Sequence, residues 1–205
     1  MEFTHQRTVT VVAILLIIAA ISQSVYTAIF IYNQEFNGQI EVPRQLLWGG
    51  EGLLFAILAA FAGSAMVKSK RLTLVFSAIA FSAALNVVQV GVGLTLFGPF
   101  GDAAGEAPAL APAAGAIVDY SFFVYNAAKL MLGLAALVAG LGLMARGSKL
   151  LGGAAALVGT LAMIANGGKV IAGSDLIPGV PLAGGTGVLA TLLLAVCLLG
   201  AKGED

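Results

Sequence analysis

Six long apolar stretches constrain this chain more than any other feature of its sequence. They run near Thr8–Tyr32, Gly49–Val67, Leu72–Phe97, Val118–Ala145, Leu150–Ala172 and Leu182–Leu199. A helix advances about 1.5 Å per residue, so roughly 20 mostly apolar residues cross about 30 Å of hydrocarbon. No water is available there to satisfy backbone N–H and C=O groups, so such stretches must be helical. The expected fold is all-α: a polytopic integral membrane protein, a bundle of six transmembrane helices forming a single domain over residues 1–205. The first stretch outlasts the apolar core of a secretory signal and is expected to be retained as a membrane helix.

Charge sets an orientation for these spans. One set of ends carries Arg7, then Lys68, Lys70 and Arg71, then Arg146 and Lys149, then Lys202, whereas the other set carries only Arg44. Glu35, Glu41, Asp102, Glu106, Asp119 and Asp175 all fall on the second set, and the first has acids only near the chain ends (Glu2, Glu204 and Asp205). Lys and Arg concentrate in cytoplasmic loops. The expectation is N-in/C-in, with both termini cytoplasmic; in a bacterium the membrane would be the cytoplasmic (inner) one. An odd number of spans would put two of these loops on the wrong side.

The composition excludes several classes of function. The chain is 60% hydrophobic and 10% charged, against about half and a quarter in soluble domains. Formal net charge is zero, so no overall field draws in nucleic acid. The single histidine, His5, and single cysteine, Cys197, cannot assemble a metal or haem site or a disulfide framework. No span holds a histidine, so Ser-His and Cys-His nucleophile pairs are missing. Gly91-Val92-Gly93 and Gly184-Gly185-Thr186-Gly187 lack the lysine of a phosphate loop. No catalytic residue, metal or cofactor is assigned. An enzyme would have to rest on Glu51, Lys129 and Lys169.

Loops and small residues carry further expectations. Asn33–Trp48 ends in Trp48, which reads as an interfacial anchor at a span edge. Gly98–Ala116, with Pro99, Pro108 and Pro112, reads as an irregular cap on the bundle. Gly173–Pro181 is short, with Pro178 and Pro181 as stops before the last helix. The basic turns are tight, so helices 2/3 and 4/5 should be antiparallel hairpins. There are 27 glycines, and the fifth span is small on nearly all sides. Close backbone approach favours such a helix inside a bundle or at an interface. Phe55, Phe61, Phe76 and Phe81 should face lipid or fill gaps.

The polar residues within the spans are the informative ones. Counted from the basic residue of its own helix, Glu51 is 17 residues from Lys68, Lys129 is 17 from Arg146 and Asn166 is 17 from Lys149. Gln23, Tyr26, Asn86, Gln89 and Lys169 fall 15 to 20 residues from theirs. All lie at one depth, about 25 Å from the basic surface at about 1.5 Å per residue. They come in pairs three apart, which share a helix face: Gln23/Tyr26, Asn86/Gln89, Asn126/Lys129 and Asn166/Lys169. Tyr125, four before Lys129, can join its pair. Below this level spans 2, 3, 4 and 6 are almost purely apolar, interrupted by Ser and Thr such as Ser64, Ser77 and Ser82, with Thr160 on span 5. This leaves no chain of titratable groups for a proton relay. The simplest pairing joins Glu51 to one lysine and leaves the other free for an anion, a lipid headgroup or a neighbouring subunit. Two plainer readings compete: lysines snorkelling to water, and a satisfied network that fixes helix register.

A weak repeat runs through the same residues. An offset of 78 superposes Glu51 on Lys129, Met66 on Met144, Lys68 on Arg146 and Arg71 on Lys149. A two-residue gap then sets Asn86 on Asn166 and Gln89 on Lys169. Parallel repeats occur in transporters, but low-complexity Ala/Leu/Gly sequence produces such matches readily by chance. Two functional classes follow. The favoured one is a non-catalytic accessory or scaffold subunit of a larger membrane assembly, its outward-facing polar cluster binding a lipid headgroup or partner. The alternative is a transporter or channel for a small solute, an anion among the candidates, with an outward-facing vestibule. Expected partners are the lipid bilayer and other membrane subunits or further copies of the chain.

Overall fold

A computed structural model describes residues 4–35, 41–173 and 180–201. Among the described residues its helices are α1 His5–Glu35, α2 Glu41–Lys68, α3 Thr73–Glu106, α4 Ala111–Ala145, α5 Lys149–Ala172 and α6 Val180–Gly200. A single 3-10 turn, Pro108–Leu110, joins α3 to α4. Six helices are long and apolar enough to cross a membrane. Asp175, Pro178 and Lys202 lie outside the described residues, as do the chain-end acids Glu2, Glu204 and Asp205.

The turns at the basic end are short for local reasons. Between α2 and α3, the Ser69 hydroxyl accepts the Leu72 N–H at 2.9 Å, and the Ser69 carbonyl accepts the Thr73 hydroxyl at 2.8 Å. Between α4 and α5, Gly147 takes φ +94°, a conformation that favours glycine. Its N–H bonds the Met144 carbonyl, and the Ser148 N–H bonds the Leu143 carbonyl. This paired arrangement satisfies the last carbonyls of a helix and reverses the chain. Helices 2/3 and 4/5 are accordingly hairpins.

The opposite end differs from expectation. Gly98–Ala116 is not an irregular cap, because α3 runs on through Pro99 to Glu106 and α4 starts at Ala111. Pro99 removes one backbone donor, which costs a single helical bond. Pro108 and Pro112 sit in first turns, where no such bond is due. Ala107, in an extended conformation, makes the break between them. At 34 and 35 residues, α3 and α4 are each about 50 Å long and overshoot a bilayer core. Their ends form a projecting helical hairpin whose Phe100, Leu110, Val118 and Tyr120 are exposed, and burial on α4 begins at Ser121.

Helix neighbours define the architecture. α1 contacts α2 and α6, α2 contacts α3, α3 contacts α4, and α4 contacts α6. These five close into a ring. α5 packs on α4 and α6 only, outside it. The basic half of the ring is filled by one apolar cluster that includes Val12, Leu16, Phe55, Leu58, Phe76, Ile79, Leu132, Leu194 and Leu198. Lipid is as apolar as these side chains, so their contribution is close van der Waals packing rather than escape from water. Phe55 and Phe76 fill this core, whereas Phe81 faces outward.

The fifth helix is peripheral rather than internal. Its large residues Leu150, Leu157, Leu161, Ile164 and Ile171 are exposed along one side. Its small residues turn to α4, where the backbones nearly touch. A Cβ added to Gly140 would lie 2.6 Å from both the Ala156 nitrogen and the Gly152 oxygen, and one added to Gly159 would lie 2.6 Å from the Gly133 oxygen and the Leu137 nitrogen. Gly133 faces Gly159 and Gly140 faces Gly152, so both helices carry glycine at a spacing of seven. That is the period at which two helices keep one seam in contact.

Candidate functional site

Lys129 organises the polar level of the ring. It projects from α4, where four-residue spacing puts Tyr125 one turn away, and none of its surface is exposed. Its stem lies along α6 at Gly187, where an added Cβ would come within 2.9 Å of Lys129 Cδ. Its Nζ donates a hydrogen bond to Gln23 Oε1 on α1 and stands 5.3 Å from the centre of the Tyr125 ring. One side chain thus links α4, α6 and α1. Snorkelling does not describe Lys129, because its ammonium turns inward.

Glu51 enters the same layer from α2 and is 6% exposed. Ser22 and the charge of Lys129 are near enough to act on its carboxylate. Its Oε1 is buried with no hydrogen-bond partner among the described residues. Lys129 bonds Gln23. The two opposite charges interact without being tied to each other by that hydrogen bond.

Trp48, one turn beyond Glu51 on α2, closes the layer toward the acidic end. It is 6% exposed, so it is not the interfacial anchor that its place in the sequence implies. The indole lies flat against Gly93 of α3, and a Cβ on that glycine would fall among the ring atoms. Its ring centre is 5.3 Å from that of Tyr26 and 5.7 Å from that of Phe97. Glycine at position 93 is what lets a Trp lie inward here. The layer thus sits between an aromatic lid and the apolar cluster of the basic half.

The remaining polar residues divide into two groups. On α3 and α4, the Asn86 amide donates to the Ser82 carbonyl at 2.9 Å, Gln89 to the Ser121 hydroxyl at 3.3 Å and Asn126 to the Phe122 carbonyl at 2.7 Å. Asn86 Oδ1 is buried without a partner among the described residues. On α5, Asn166 donates to the carbonyls of Ala162 and, across the interface, Ala183 of α6. Lys169 is half-buried in the last turn of α5. Since α5 touches α4 and α6 alone, Asn166 and Lys169 stand outside the ring. Lys129 is joined directly to Gln23 and Tyr125, Glu51 is coupled to Lys129 through its charge, and Tyr26 packs on Trp48.

Sequence reasoning overlooked Ser22, Trp48, Ser121 and Gly187 as parts of this layer. Ser22 adjoins Gln23, and Trp48 lies three residues from Glu51, so helical spacing was available as a signal for both. Gly184 and Gly187 of α6 give way to the Tyr125 hydroxyl and the Lys129 stem; nothing in their own neighbourhood shows which side chains they accommodate. Among the described residues, no group of three His, Cys, Asp or Glu is placed to hold a metal ion.

Fold and site together define an all-helical membrane protein of six candidate spans with a charged layer enclosed in a ring of five. No protein-family model matches the chain, and no curated protein or solved structure is significantly similar to it.

Proposed function

We propose that the protein binds a small polar solute in this layer and carries it across the membrane. The observation behind the reading is a pair of buried, oppositely charged side chains whose hydrogen-bonding capacity is not used up. Ionisable groups inside a membrane are costly and mark solute or ion pathways. A buried acceptor without a partner costs about 1–3 kcal/mol. Glu51 Oε1 and Asn86 Oδ1 on the ring helices stand so, as does Asn166 Oδ1 on α5, and on the ring helices such an acceptor is open to a solute. In this reading the basic turns face the cytoplasm and both termini lie there. The lid of Tyr26, Trp48 and Phe97 is then the outer gate, and the apolar cluster below the layer is the inner one.

A second reading, the accessory or scaffold subunit, is favoured by α5. This helix is fixed by two neighbours only and presents a continuous apolar face. Native mass spectrometry of the protein, extracted in mild detergent from its own membrane, separates the two. The solute reading expects the chain alone or with copies of itself, retaining a small molecule. Other chains at fixed stoichiometry would transfer the assignment to the accessory subunit.

Uptake into proteoliposomes then tests the site. Lys129→Gln and Glu51→Gln should each abolish uptake by the folded fraction, even though the uncompensated charge left in the layer lowers the thermal midpoint. If each variant lowers the midpoint and leaves the transport of the folded fraction unchanged, the layer is a structural network.

A further inference from the structure

We infer that the solute is a small zwitterion, its ammonium group on Glu51 and its anionic group on Lys129. The inference rests on the solute reading above and names the chemical class that this layer fits.

Three observations carry it. First, the two charges are opposite and enclosed at one depth, with Lys129 wholly buried and Glu51 6% exposed. Second, each has unused capacity. A lysine ammonium has three donors, and Lys129 makes one hydrogen bond, to Gln23. Glu51 keeps Oε1 free of any partner among the described residues. Third, the Lys129 ammonium is bonded to a neutral partner, Gln23. Opposite charges in a medium of low dielectric attract strongly. An ammonium bonded to a neutral amide and a carboxylate with an unpartnered oxygen are both available to a third body.

Electroneutrality selects among solutes. A lone cation on Glu51 or a lone anion on Lys129 would leave the enclosed layer with a net charge, which burial penalises. An uncharged polyol would keep the layer neutral but would not use the charge on either side chain. A zwitterion keeps the sum at zero and gives each buried charge a charge-assisted hydrogen bond. Asn86 Oδ1 is a further free acceptor at the same depth.

The test uses the full chain in lipid nanodiscs, with thermal shift and calorimetry. The probes are glycine and taurine as zwitterions, methylammonium as cation, acetate as anion and glycerol as neutral donor. Glycine or taurine should raise the unfolding midpoint and bind at least about tenfold more tightly than the other three. Glu51→Gln should remove that preference, with Lys129→Gln doing the same from the other pole. Methylammonium, acetate or glycerol binding as tightly as the zwitterions would overturn the inference and leave the solute reading standing. Absence of binding by all five would overturn both. The wild-type panel decides the matter even where a variant fails to fold.

Discussion

The two hairpins α2–α3 and α4–α5 both use glycine to bring helices together, but in different ways. On α2–α3 the two glycines that meet a neighbour receive a side chain: Gly93 lies under the Trp48 indole, and an added Cβ on Gly52 would lie 3.2 Å from Val90 Cγ1. On α4–α5 glycine meets backbone, with an added Cβ on Gly140 or Gly152 only 2.6 Å from a carbonyl oxygen of the facing helix. A side chain can rotate away from an intruding methyl group, whereas a helix backbone is held by its own hydrogen bonds. The α2–α3 seam should therefore tolerate change that the α4–α5 seam cannot. The polar layer follows the same division. Glu51 and Trp48 sit on the adaptable hairpin, whereas the rigid seam of α4 with α5 carries Lys129 on its ring side.

Substitutions can break this comparison, and the largest effect should come from the rigid seam. Gly140→Leu should destabilise the protein by about 3 kcal/mol or more, because overpacking against backbone has no local relief. The measurement is reversible denaturation in mixed micelles, and a loss below about 1 kcal/mol would refute backbone contact as the basis of the seam. Gly93→Ala should cost about 1–3 kcal/mol, since the indole must leave its place. Here the adaptable seam predicts rescue: adding Trp48→Ala should make the pair of changes less costly than their sum, as expected for residues in contact. Strict additivity would show that the indole does not rest on Gly93 in the membrane.

Smaller effects sharpen the contrast. Gly52→Ala should cost less than about 1 kcal/mol, because Val90 can yield by a rotamer change. Gly153→Ala on α5 meets nothing within 4 Å and should be neutral or stabilising by about 0.5–1 kcal/mol through helix propensity. A midpoint in denaturant that falls for Gly153→Ala as it does for Gly140→Leu would mean that α5 is surrounded on all sides.

The repeat relating the two hairpins meets the same difference. Asn86 and Asn166, superposed by the offset, each donate to the carbonyl four residues earlier. Glu51 and Lys129, likewise superposed, meet in one layer. Yet α3 belongs to the ring and α5 lies outside it. Gln89 and Lys169 are therefore set in unlike surroundings, and the simple pairing of Glu51 with either lysine resolves toward Lys129 alone.

Helix existence was legible in the chain because it follows from a local requirement. Each stretch must satisfy its own backbone in hydrocarbon, so length and hydropathy suffice, as the six candidate spans show. Loop structure was less legible. Pro99 and the Ala-Gly run after it read as a break, yet a helix can pass a proline at the loss of one bond, and it does so here. Trp48 read as an anchor because its position along the helix was visible and its direction was not.

By itself the sequence determined six helices, a basic and an acidic set of ends, and the common depth of Gln23, Glu51, Asn86, Asn126, Lys129 and Asn166. These are sums over residues along one axis, which need no neighbour. Only the tertiary structure decided which way each helix turns about that axis. Spans this rich in Ala, Gly and Leu carry little amphipathic signal to fix rotation. Rotation is set instead by where backbones can touch, at Gly133, Gly140, Gly152 and Gly159, and by where a glycine admits a large side chain, at Gly93 and Gly187. That packing encloses Lys129 with Gln23 and Glu51, and leaves Lys169 outside the ring.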